Sequence, residues 1–233
     1  MNQVFDLLSR GGLLMFPIGF CSIVALGIFL ERLWSLQRNK VMPPRFLEVA
    51  DNLLRQERYA DAEAMCHGSD TPIARVLEVG IRYAGRDREL IKDVMEETGQ
   101  REIHFMERFT GLLGSIATIS PLLGLLGTVT GMIGVFQSVV NQSTTGAPVN
   151  AGLLAGGIWE ALITTAAGLV VAIPAFLGHR HIIAMVDRYA VEMVDVSLKA
   201  LEYLVPAAQR PTSKPSEPAR SDVAEPAEKG ATT

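Results

Sequence analysis

The chain has 233 residues, with 20% charged and 48% hydrophobic side chains, and a formal net charge of −4. Its mean hydropathy is +0.25 and its pI about 5.6, which speaks against a nucleic-acid partner. Of 46 Asp, Glu, Lys and Arg residues, 28 fall between Glu31 and Arg108, whereas the 70 residues from Phe109 to Gly178 carry only Glu160. A soluble domain would have to bury that whole segment, so the composition reads as an integral membrane protein. Two cysteines, Cys21 and Cys66, do not make a disulfide framework.

In chain order, residues 1–10 hold Val4, Phe5, Leu7 and Leu8 beside Asp6 and Arg10, a pattern for a short amphipathic helix on the outer membrane surface. Residues 11–30 are apolar and uncharged, about 30 Å of helix, enough to cross a bilayer. Residues 1–10 lack the basic excess of a signal peptide, so 11–30 is expected to be a retained span. Residues 31–108 form a polar helical region. Pro43-Pro44 starts a helix, and the run His67 to Pro72 stops one helix and starts another. From Asp87 the apolar spacing meets no breaker except Gly99, which predicts one helix from Asp87 to Val140.

The second span is expected within 109–140 and the third within 151–178, joined by an uncharged polar loop at 141–150. The third helix runs on as a polar extension over 179–205. The Pro-, Ala-, Ser- and Glu-rich stretch 206–233 reads as a disordered tail. Arg32, Arg38, Lys40 and Arg45 follow the first span, Arg101 and Arg108 precede the second, and Arg180 and Arg188 follow the third. The positive-inside rule therefore puts the amino terminus and the 141–150 loop outside, with both polar regions and the carboxyl terminus in the cytoplasm.

The hairpin of the second and third spans is rich in small residues. Gly127-x-x-x-Gly131 and Gly152-x-x-x-Gly156 both have the spacing by which membrane helices approach closely. Glu160 is costly at membrane depth, on the order of 2.5–3.5 kcal/mol, so an ionisable residue there is a functional candidate. Thr128 and Thr165 lie at similar distances from the top of the hairpin, which puts both hydroxyls near the membrane centre. Glu160 and Thr164 share a helix face, whereas Thr165 is rotated about 140° from Glu160. Pro121 and Pro174 each remove a helical hydrogen bond inside a span. His179 and His181 flank Arg180 without enough further ligands for a metal. The polar regions hold no nucleophile–base pair or paired catalytic carboxylates, so neither an enzyme nor a cofactor is expected.

The stretch Ser120-Pro121-Leu122-Leu123-Gly124-Leu125-Leu126-Gly127-Thr128-Val129 resembles the second-span signature of the ExbB/TolQ/MotA proton-channel family. The stretch from Trp159-Glu160-Ala161 to Ala172-Ile173-Pro174 resembles its third-span signature. The three-span layout is closer to ExbB and TolQ than to MotA. The resemblance implies an all-α membrane protein with long cytoplasmic helical extensions, assembling as a homopentameric pore in the bacterial inner membrane. That pore would enclose a dimer of an ExbD/TolR-like single-span protein with a membrane aspartate, and a TonB/TolA-like or gliding-motor component is a further expected partner. By motif position, Thr128 and Thr165 would face the partner aspartate, Glu160 would be the acidic residue of the proton path with Thr164 beside it, and Pro121, Gly124, Gly127, Gly131 and Pro174 would shape the pore. The expected function is that of a stator subunit that couples proton flow to rotation or force. The alternative is a non-conducting scaffold that binds partners through its cytoplasmic helices.

Overall fold

The computed structural model describes residues 14–144 and 150–206. The expected surface helix at 1–10 and the tail beyond Pro206 lie outside the described residues, as do residues 145–149 of the expected loop. Eight helices occur among the described residues: α1 Met15–Ser35, α2 Arg38–Val41, α3 Pro44–Arg55, α4 Tyr59–His67, α5 Pro72–Arg82, α6 Arg88–Met106, α7 Thr110–Thr144 and α8 Ala151–Leu204. Of these, α1, α7 and α8 are long and apolar enough to cross a membrane. Proline opens α3 and α5 at the first helical position, where its missing N–H costs nothing.

The single helix expected from Asp87 to Val140 is not formed. It breaks between α6 and α7, where Phe109 takes φ 65, a left-handed conformation that a bulky residue adopts only when its surroundings enforce it. Those surroundings come from α1. Arg32, buried in α1, donates from Nη1 to the Met106 carbonyl (3.2 Å) at the end of α6, and its guanidinium lies 5.7 Å from the Phe109 ring centroid. A cation at a helix carboxyl end satisfies an orphan carbonyl and opposes the helix dipole. Sequence periodicity cannot show this, because the partner sits 74 residues away. At its other end α7 continues through Thr144, one turn beyond the expected span.

Outside the apolar spans, α3, α5 and α6 pack against α8 from about Ile182 onward, and α4 packs against α3 and α5. Ile73, Leu77, Ile91, Met95, Ile182, Val186 and Leu201 are all buried there in one core. Two tyrosines tie this region to α8 across the sequence: Tyr189 Oη donates to the Leu36 carbonyl and Tyr59 Oη to the Tyr203 carbonyl, both at 2.9 Å. Gly85, at φ 80 in the α5–α6 turn, donates its N–H to the Leu204 carbonyl at 2.9 Å and so ties that turn to the end of α8.

Cys66 is buried in this core, and burial, reinforced by Glu78 and Glu63, pushes its thiol from an ordinary 9.0 up to about 12. The folded state therefore holds the thiol proton more tightly than the unfolded chain. The resulting stability is fully present below pH 9.0 and is lost as pH rises from there through about 12. Cys66→Ala should flatten the alkaline limb of a stability-versus-pH curve measured by denaturant unfolding. At pH 8 the wild-type thiol at this position should react with maleimide only after unfolding.

Candidate proton pathway in the membrane hairpin

The site rests on how closely α7 and α8 approach. Antiparallel and side by side, they meet along Ser120, Gly124, Gly127, Gly131 and Val135 on α7 and Gly168, Thr164, Ala161 and Gly157 on α8. A methyl group at Gly168 would lie 2.6 Å from the Ser120 carbonyl oxygen, one at Gly124 would lie 3.0 Å from the Thr165 Cα, and one at Gly131 would lie 2.9 Å from the Ala161 Cβ. Backbone meets backbone, as small residues permit in membrane helix pairs. The Gly152-x-x-x-Gly156 spacing takes no part: Gly156 has nothing within 4 Å, and the adjacent Gly157 faces Val135 instead. Both helices run through their prolines, Pro121 and Pro174.

The hydroxyls of this hairpin mostly bond back onto their own helix. Thr128 Oγ1 donates to the Leu125 carbonyl (2.7 Å), Thr130 to Leu126 (3.0 Å) and Thr164 to Glu160 (2.9 Å). Thr165 differs. Its Oγ1 crosses the seam to donate to the Gly124 carbonyl at 2.8 Å. Ser120 Oγ is buried in the seam with no hydrogen-bond partner among the described residues, an uncommon state for a buried hydroxyl.

The seam divides the polar groups between two flanks. Glu160 and Thr164 line one groove together with Thr130, Gly134 and Ser138 of α7 and Leu14 at the start of α1. This is the flank that α1 covers further along. Phe29 packs on Gly178, which lies 18 residues and about five full turns from Glu160, on the same line of α8. Glu160 thus faces the α1 side, just past the end of that helix, and its side chain is exposed. Thr128 and Thr165 lie on the opposite flank, which α1 leaves open. The structure therefore brings Thr128 to within about a turn of Thr165, and Thr164 beside Glu160, but does not gather all four into one stripe. Thr130 and Ser138 were not singled out from the sequence. Their spacing of eight with Gly134 midway marks one helix face, which is the signal that would have found them.

No group of three or more His, Cys, Asp or Glu suited to a metal ion occurs among the described residues. Residues 68–195, more than half of the chain, match the MotA/TolQ/ExbB proton channel family. Over 188 residues the chain is 35% identical to an ExbB-like biopolymer transport protein of Synechocystis sp., covering 78% of this chain and 72% of the relative. It is 31% identical over 198 residues to the biopolymer transport protein exbB1 of Vibrio cholerae, covering 81% and 82%. With ExbB of Salmonella typhimurium it shares 32% identity over 131 residues, covering 53% of this chain and 51% of that one. A helical hairpin whose one charged residue is Glu160, in a three-span membrane protein whose matched region carries both signature segments, leads to one assignment: the chain belongs to the MotA/TolQ/ExbB proton channel family.

Proposed function

We propose that this chain is the proton-channel stator subunit of an inner-membrane motor. In this reading five copies form a pore around a dimer of an ExbD/TolR-like single-span protein, and proton flow through the pore drives rotation or force in that partner. The single observation that carries it is Glu160, the one charge in 70 residues, lying in a groove that also holds the hydroxyls of Thr130, Ser138 and Thr164, with no ion pair among the described residues. The amino terminus is outside and the α3–α6 region cytoplasmic, as the distribution of basic residues favours. A TonB/TolA-like or gliding-motor component then receives the output.

The chain's own residues divide the work by flank. Glu160 takes and releases protons at the outer end of the groove, with Thr130, Ser138 and bound water as neighbours. Thr128 and Thr165 stand on the flank free of α1, the side available to a central partner. A rotation about the Thr165 side chain breaks its bond to the Gly124 carbonyl and presents the hydroxyl to the partner's aspartate. One proton crossing 100 mV releases about 2.3 kcal/mol, enough for one or two protons to drive a conformational step.

Two measurements test this. Native mass of the complex, co-expressed with its genomic neighbours, should give five copies of this chain with two of the single-span protein. In liposomes holding that complex, Glu160→Gln and Thr165→Ala should each lower proton flux roughly tenfold or more, the effect of about 1.4 kcal/mol, while Thr165→Ser keeps it. Thr165→Ala also leaves the Gly124 carbonyl without its donor, so assembly is checked by the same native mass. Wild-type flux in both variants removes the channel reading and leaves the scaffold, in which the cytoplasmic helices bind partners and nothing conducts. The seam itself has a separate signature. Gly168→Ala should destabilise the detergent-solubilised protein by about 1–3 kcal/mol through overpacking, whereas Gly99→Ala, with nothing within 4 Å, should gain about 0.5–1 kcal/mol from helix propensity.

A further inference from the structure

A cavity of about 670 Å³ opens at the α6–α7 junction, lined by His104, Phe105, Arg108, Phe109, Thr110 and His179, with Glu107 as its acidic member. Two observations place it at the membrane boundary. Arg108 is the last charged residue before the segment whose one charge is Glu160. Arg32, which reaches the Met106 carbonyl here, stands two residues before Trp34, an exposed indole with Lys40 over its ring, the kind of side chain that anchors at a membrane surface.

Several features of the cavity point to an anion. It lies at the amino end of α7, where the Thr110 and Leu113 N–H groups donate to the Glu107 and Phe109 carbonyls, leaving those of Gly111 and Leu112 without a backbone partner among the described residues, and where the helix dipole is positive. Arg108 makes no ion pair among the described residues, and its guanidinium lies 4.7 Å from the Phe109 ring centroid. Independently, Thr110 lines the cavity with a buried Oγ1 that has no hydrogen-bond partner among the described residues. His179 Nδ1 donates to the Thr110 carbonyl at 3.0 Å and so fixes the first turn of α7 against α8. Phe109, which turns the chain here, holds a strained left-handed conformation of the kind found at ligand clamps. Glu107 is exposed, where water and salt screen its repulsion.

We infer that this cavity binds the phosphate of an anionic phospholipid headgroup, with Arg108, the amino end of α7 and the Thr110 hydroxyl as its donors. A lipid fits better than free phosphate because Phe105, Phe109 and Leu112 are exposed around the cavity, at 63%, 45% and 48%. Leu112 leads from the cavity along the membrane face of α7, where an acyl chain lies against it. The basic residue at the boundary supplies charge, and the apolar rim supplies contact with the tail.

The test titrates the full chain, in complex with its partner, with phosphatidylglycerol, phosphatidylcholine or inorganic phosphate, and reads bound lipid by native mass spectrometry. Phosphatidylglycerol should be retained at one per chain in preference to phosphatidylcholine. Arg108→Gln should weaken that retention about tenfold, as loss of a charge-assisted hydrogen bond does, and Arg188→Gln should leave it unchanged. Thr110→Val should also weaken retention while leaving the lipid-free melting temperature equal or higher, because it removes an unsatisfied buried hydroxyl. Equal retention of the two lipids, or unaltered binding in both Arg108→Gln and Thr110→Val, overturns the assignment. Displacement of phosphatidylglycerol by millimolar inorganic phosphate overturns the lipid as the ligand.

Discussion

The contact of Gly168 with the Ser120 carbonyl is the constraint on which the membrane half of this protein depends. Lipid offers no hydrophobic drive for helix pairing, so α7 and α8 are held by close packing and by side-chain bonds between them, from Thr165 to the Gly124 carbonyl and from His179 to the Thr110 carbonyl. Contact this close admits one register. Sliding either helix by one residue would turn its side chains by about 100° and bring a larger residue onto the facing backbone. The register in turn decides which polar groups share a flank: Glu160 with Thr130 and Ser138 on one side, Thr128 with Thr165 on the other.

A second constraint acts where the spans meet the polar region. Arg32 is buried, yet its guanidinium is satisfied by Glu31 and by the Met106 carbonyl, so burial leaves no unpaired charge. By holding the end of α6, it stops that helix from continuing into α7. The freed α6 turns to pack against α5 and α8, and the same break opens the cavity at Arg108.

The polar region is joined to the membrane hairpin by an unbroken helix. α8 runs from Ala151 to Leu204, about 80 Å by its rise, and carries seam residues at one end and core residues at the other. Two bonds fasten it to the rest of the chain: its Tyr189 donates to the Leu36 carbonyl, and its Tyr203 carbonyl accepts from Tyr59 of α4. The seam residues and the far core therefore share one helix, with Pro174, the usual kind of kink site, between Gly168 and Ile182.

Much of this was legible in the sequence, for a simple reason. Hydropathy over 20 or more residues, prolines at helix starts and a lone Glu160 are local features, and local features fix the three membrane helices, the starts of α3 and α5 and the candidate acid. The two signature segments carried the family. What the sequence did not disclose depends on partners distant along the chain. The break at Phe109 is imposed by Arg32. Gly157, not Gly156, enters the seam because the α7 register selects it. Glu160 and Thr165 stand about 140° apart on their helix by spacing alone, but that the seam with α7 runs between them, and that α1 covers only the Glu160 flank, comes from the packing. Periodicity records which residues share a helix face, and only the tertiary structure decides what that face meets.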